Sequence, residues 1–79
     1  MQKYYQFRVI SASPVSKLGK TFQVAADTLS LAVQSVAEQM PNCNSAANVL
    51  PDDRVGFLNL WNERGDFLSF RVFCLDVDY

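Results

Sequence analysis

The chain of 79 residues contains no histidine and has only three glycines, three prolines and two cysteines. Without an imidazole there is no Ser–His or Cys–His nucleophile pair, no histidine general base and no histidine zinc ligand. The glycines stand at 19, 56 and 65, so neither a GxGxxG nor a GxxxxGK phosphate loop is present. Cys43 and Cys74 form no CxxC pair. No apolar run approaches the ~20 residues needed to span a bilayer. The start "MQKYYQFRVI" lacks the apolar run and cleavage site of a secretory signal. The expected location is therefore the cytoplasm, with both thiols reduced, Cys74 a small buried hydrophobe and Cys43 an exposed loop thiol; a Cys43–Cys74 disulfide is the alternative for a secreted chain. No enzymatic activity, cofactor or metal is expected.

Charge of one sign is also missing. Net charge is −1, with acids and bases interspersed, so the basic footprint of a duplex DNA-binding domain is absent. The acids Asp52, Asp53, Asp76 and Asp78 could serve as an acid–base pair or hold a metal ion, but clustered carboxylates of this kind are more often solvated.

What the chain does have is apolar residues, 49% against 19% charged, which is the composition of one folded domain. A chain this short buries only roughly 60–65% of its extended surface, so it builds a single modest core. Residues 3 to 11, "KYYQFRVIS", alternate as a half-buried strand with Tyr5, Phe7 and Val9 facing the core. After the turn residues Pro14 and Gly19, "KTFQVAA" resumes the alternation with Phe22 and Val24 inward. In "DTLSLAVQSVAEQMP", Leu29, Ala32, Val33, Val36, Ala37 and Met40 share one helical stripe. Asp27 as N-cap and Pro41 as terminator predict a helix from about Thr28 to about Gln39 or Met40. Its outer face carries one charge and the exposed Leu31, either a tolerated apolar residue or a contact. Residues 41 to 53 read as a connector.

The segment "FLNLWNERGDFLSFRVF" reads as a hairpin. A type I turn at "NERG" with Gly65 in the left-handed conformation pairs Trp61 with Phe67 and Asn62 with Asp66. That register puts Gly56, Leu58, Leu60, Leu68, Phe70, Val72 and Cys74 on one side, where the helix packs. The other side carries Val55, Phe57, Asn59 and Trp61 against Phe67, Ser69, Arg71 and Phe73. The first hairpin adds Tyr4, Gln6, Arg8, Thr21 and Gln23. Each large aromatic can bury about 150–250 Å², so Phe57, Trp61, Phe67 and Phe73 would, if left fully uncovered, exceed the ~300–600 Å² apolar patch normal on a monomer. Three alternatives compete with a binding surface here: bending of the hairpin end, cover by the 41–53 loop, and a one-residue register slip that exchanges the faces.

The expected fold is α+β, ββαββ, with one helix on one face of a four-stranded mainly antiparallel sheet. This order suits a β-grasp or a simpler helix-on-sheet domain, and "GKTFQVAADTL" resembles the second strand and helix start of ubiquitin. The end "DVDY" lacks a diglycine tail. "GKTFQVAADTLSLAVQSVAEQ", residues 19–39, is similar to a strand-to-helix segment of small phage-encoded proteins, including anti-CRISPR inhibitors of type I surveillance complexes. That resemblance implies a non-enzymatic inhibitor in the host-cell cytoplasm that docks on a Cas complex and blocks DNA binding or nuclease recruitment.

On this reading Tyr4, Phe57, Trp61, Phe67 and Phe73 are desolvated anchors, and Arg8, Arg64 and Arg71 supply oriented hydrogen bonds. Leu31 and the acids Asp52, Asp53, Asp76 and Asp78 form an alternative contact set, the acids meeting a basic channel on the partner. The partner is a larger protein or ribonucleoprotein complex. Aromatics and arginines on an open sheet equally describe a platform for single-stranded nucleic acid, and a small homodimeric structural protein is the third reading.

Overall fold

A computed structural model describes residues 2–13 and 15–75. Strand β1 (Lys3–Ser13) leads through a 3₁₀ turn at Val15–Lys17 into β2 (Thr21–Ala26). Helix α1 (Leu29–Glu38) follows, then β3 (Asn44–Val49), β4 (Val55–Trp61) and β5 (Phe67–Cys74). The sheet order is β2-β1-β5-β4-β3, and every neighbouring pair is antiparallel. The chain thus carries α1 from one sheet edge, β2, to the other, β3.

The α+β class holds, but the sheet has five strands and not four, and the order is ββαβββ and not ββαββ. The extra strand, "NSAANV", lies inside the segment expected to be a connector. Alanine and asparagine are poor strand formers and show no apolar alternation. The strand forms because β4 offers a free row of main-chain groups, pairing from Asn44↔Trp61 to Val49↔Gly56. Residues 44–49 therefore extend the sheet sideways and do not fold over its face.

The helix packs on one face only. Tyr5, Phe7, Val9, Leu58, Leu60, Phe70 and Val72 from the sheet meet Leu29, Ala32, Val33 and Val36 from α1 in a single core. Phe7 and Phe22 stack with ring centroids 5.1 Å apart, and both meet Phe70 edge-on, at 5.9 and 5.7 Å. Phe22 points to this face as expected, yet it remains exposed because it lies on the edge strand. A bulge between Val9 and Ser11 makes Ile10 the extra residue, so that Val9 and Ala12, three positions apart, both face the helix.

The start of α1 differs in its details from expectation. Thr28, not Asp27, is the N-cap, its side chain accepting the Leu31 N–H at 3.2 Å. The Leu29 N–H is taken by Asp53, whose two carboxylate oxygens lie at 3.2 and 3.3 Å. The Tyr5 hydroxyl donates to the same carboxylate at 3.3 Å. Burial first, then the Asp53 charge, pushes the Tyr5 phenol up to about 12. Asp53 holds φ at 59°, in the left-handed region that aspartate tolerates better than most residues. Beneath Leu29, Gly56 leaves room for the helix: a Cβ there would stand 3.1 Å from Leu29 Cδ2 and from the Asn48 carbonyl.

The second hairpin follows its expected register. Trp61 pairs with Phe67, the Asn62 N–H donates to the Asp66 carbonyl at 3.1 Å, and Gly65 has φ 88°. Asn62 Oδ1 accepts the Arg64 and Asp66 N–H groups at 2.9 and 3.1 Å, which closes the turn from inside. Cys74 packs partly buried against the core, and so does Cys43, which was expected to be an exposed loop thiol; Cys43 bonds back to the helix end through the Met40 carbonyl.

Candidate functional site

Alternation in five paired strands sorts the remaining side chains onto the face opposite the helix. The registers arrange them in rows across the sheet. One row reads Gln23, Gln6, Phe73, Val55. The next reads Thr21, Arg8, Arg71, Phe57, Asn48. Ser11, Ser69, Asn59 and Ala46 follow, and then Ser13, Phe67, Trp61 and Asn44. Tyr4, opposite Ala25, stands at the other end.

None of the described residues covers this face. Phe57, Trp61 and Phe67 keep 37%, 40% and 39% of their surface exposed, and Tyr4 keeps 52%. Phe73 is half-buried. The loop expected as a possible cover is instead β3, which adds Asn44, Ala46 and Asn48 to the surface. A bent hairpin end is also not what forms, since β4 and β5 stay paired without interruption from Val55↔Phe73 to Trp61↔Phe67.

The charge pattern is specific. Arg8 and Arg71 are direct cross-strand partners in the middle of the sheet, an arrangement that costs stability because like charges face each other. Among the described residues no aspartate or glutamate occupies a strand position on this face. The face thus combines exposed aromatic planes with a doubled positive charge that no described acid on its strands offsets, although the whole chain is slightly acidic. Such a surface is suited to a partner that offers apolar or planar groups beside a carboxylate or phosphate.

Of the residues singled out from sequence, Tyr4, Arg8, Phe57, Trp61, Phe67, Arg71 and Phe73 come together on this one face. Arg64 sits on the exposed turn at its rim. Leu31 lies on the outer side of α1, across the molecule, with 49% exposure. Asp53 is engaged inside the fold and Asp52 closes a local turn through the Arg54 N–H at 3.1 Å. Asp76 and Asp78 lie outside the described residues. Asn44 and Asn48, which flank Trp61 and Phe57, were not legible because their strand was not. Comparison with known protein families, curated proteins and solved structures gives no match.

Proposed function

We propose that this protein is a non-enzymatic binding module that acts by occupying a surface on a larger protein or ribonucleoprotein assembly through its open sheet face. The observation that carries the reading is a face that no described residue covers and on whose strands no described acid stands, where Phe57 and Phe73 adjoin the Arg8–Arg71 pair and Tyr4 and the Trp61–Phe67 pair lie two rows away on either side. Aromatic and arginine side chains supply most of the binding energy at protein interfaces, because they bury large areas and orient hydrogen bonds at modest entropic cost. The resemblance of residues 19–39 to phage-type inhibitors makes a type I Cas surveillance complex the first partner to assay. The protein is expected to co-elute with the assembled complex and to reduce its target-DNA binding or nuclease recruitment. A complex that neither retains the protein nor loses activity at saturating concentration removes that instance.

The paired arginines favour a second reading, a platform for single-stranded nucleic acid, in which bases stack on the aromatics and the arginines meet phosphates. Titration of Trp61 fluorescence with oligo-dT and oligo-U separates the two. Quenching that weakens steeply with salt supports the nucleic-acid reading, and an unchanged spectrum at low salt excludes it.

A further inference from the structure

The sheet has two edges, and they are protected differently. Strand β2 is bracketed by Lys20 and Asp27. Strand β3 carries no charge, no proline and no bulge over its whole paired length, and its first five residues are exposed. Natural sheets usually blunt an edge of this kind, because its free main-chain groups pair with any available strand.

The hydrogen-bond parity says which groups are free. The Leu50 N–H donates to the Val55 carbonyl at 3.0 Å, so in this antiparallel ladder Asn44, Ala46 and Asn48 also turn their main-chain groups toward β4. Ser45, Ala47 and Val49 direct theirs outward. Above this edge the small side chains leave a groove of about 430 Å³ between β3 and α1, lined by Val33, Gln34 and Ala37 on one side and Ser45, Ala47 and Val49 on the other.

We propose that β3 is a self-association edge, on which a second copy of this chain pairs its own β3 antiparallel about a two-fold axis normal to the sheet. The edge strand carries no charge; on the adjoining flank of α1, Ser30, Gln34 and Ala37 are uncharged, and the nearest charge, Glu38, is held by the Gln34 amide at 3.0 Å at the end of the helix. A copy of the same strand therefore brings no like charge against itself, whereas a charged segment would lose solvation without gaining a counter-charge. Antiparallel partners place side chains of the same face opposite each other, so a symmetric register centres on a single residue. Centring on Ala46 sets Ser45 opposite Ala47 of the second copy and Asn44 opposite Asn48. Centring on Ala47 sets Ser45 opposite Val49. Both registers keep Ser45, Ala47 and Val49 as the bonded residues, bring the two helices to the same side, and set groove against groove. The two five-stranded sheets then run on as one, and the open faces lie side by side. The pairing is independent of the binding reading given above, and either can fail alone.

Light scattering across a concentration series tests it. The wild type is expected to shift from 8.9 kDa toward twice that mass. In either register residue 46 lies opposite or diagonal to its own copy, so Ala46→Lys and Ala46→Glu should each raise the dissociation constant by about tenfold or more. An equimolar mixture of the two variants should restore the dimer. Ala25→Lys, on the opposite edge strand, should leave it unchanged. A wild type that stays at 8.9 kDa up to millimolar concentration, a dimer that survives both residue-46 variants, or a mixture that fails to re-associate would overturn the proposal. A dimer dispersed by Trp61→Ser but not by Ala46→Lys would place the contact on the open face and overturn it equally.

Discussion

Asp53 ties three parts of the fold to one carboxylate, and replacing it gives a prediction with a sign that strain alone cannot produce. Its oxygens accept the Leu29 N–H at 3.2 and 3.3 Å and the hydroxyl of the fully buried Tyr5 at 3.3 Å. Removing the carboxylate leaves the Tyr5 hydroxyl without its acceptor, at a cost of about 1–3 kcal/mol. It also strips an anionic acceptor from a helix N-terminus, about another 1 kcal/mol. The sum, about 2–4 kcal/mol, is a large part of the roughly 4–12 kcal/mol expected for a domain of this size. Asp53→Ala adds strain, because φ is 59°, so Asp53→Gly is the sharper test. Glycine relieves the left-handed backbone and on that ground alone would be neutral or stabilising. The hydrogen bonds predict instead that Asp53→Gly destabilises by about 2 kcal/mol or more. Asp53→Asn, which keeps an acceptor and tolerates the conformation, should cost only about 1 kcal/mol. Urea denaturation followed by far-ultraviolet circular dichroism reads all three, and with m near 1 kcal/mol/M the glycine variant should lose about 2 M in midpoint. A midpoint equal to or above that of the wild type would refute the assignment.

Three further outcomes follow from the same structure. Gly56→Ala should destabilise by about 1–3 kcal/mol in urea denaturation, because the added Cβ meets Leu29 Cδ2 and the Asn48 carbonyl at 3.1 Å, and one of these is backbone. The Tyr5 phenol is raised from 10.0 to about 12, so the unfolded chain loses this proton first as pH rises. Its contribution is present in full below pH 10, declines above it and is gone beyond about 12, and Tyr5→Phe should flatten that part of a denaturation-midpoint profile. Arg71→Gln should leave folding stability unchanged or raise it by about 0.2–1 kcal/mol, since it relieves the cross-strand repulsion with Arg8, while weakening partner binding in a direct titration.

The helix and the second hairpin were legible because each carries a strong local signal. The stripe of Leu29, Ala32, Val33 and Val36 has the helical period, and Gly65 supplies the positive φ that sets the register of Trp61 and Phe67. From that register the two faces of β4 and β5 followed, and with them most of the aromatic and arginine surface. Strand β3 was not legible, since "NSAANV" has neither the period nor the propensity of a strand and owes its form to the edge of β4. Its absence hid Asn44 and Asn48 from the site. The structural role of Asp53 is not legible in the sequence, because its partners, Tyr5 and Leu29, are distant along the chain and meet it only through packing. The N-cap at Thr28 in place of Asp27 is a one-residue choice between two competent side chains.

On the proposed function, the open sheet face, and not the outer side of the helix, makes the functional contact. Capture from cell lysate on the immobilised protein tests it directly when three baits are compared: wild type, Arg8→Glu with Trp61→Ser, and Leu31→Ser, each shown to be folded by circular dichroism. Partners retained by the wild type and by Leu31→Ser but lost from the double variant are the predicted result. Partners retained by the double variant, or lost from Leu31→Ser alone, would contradict it.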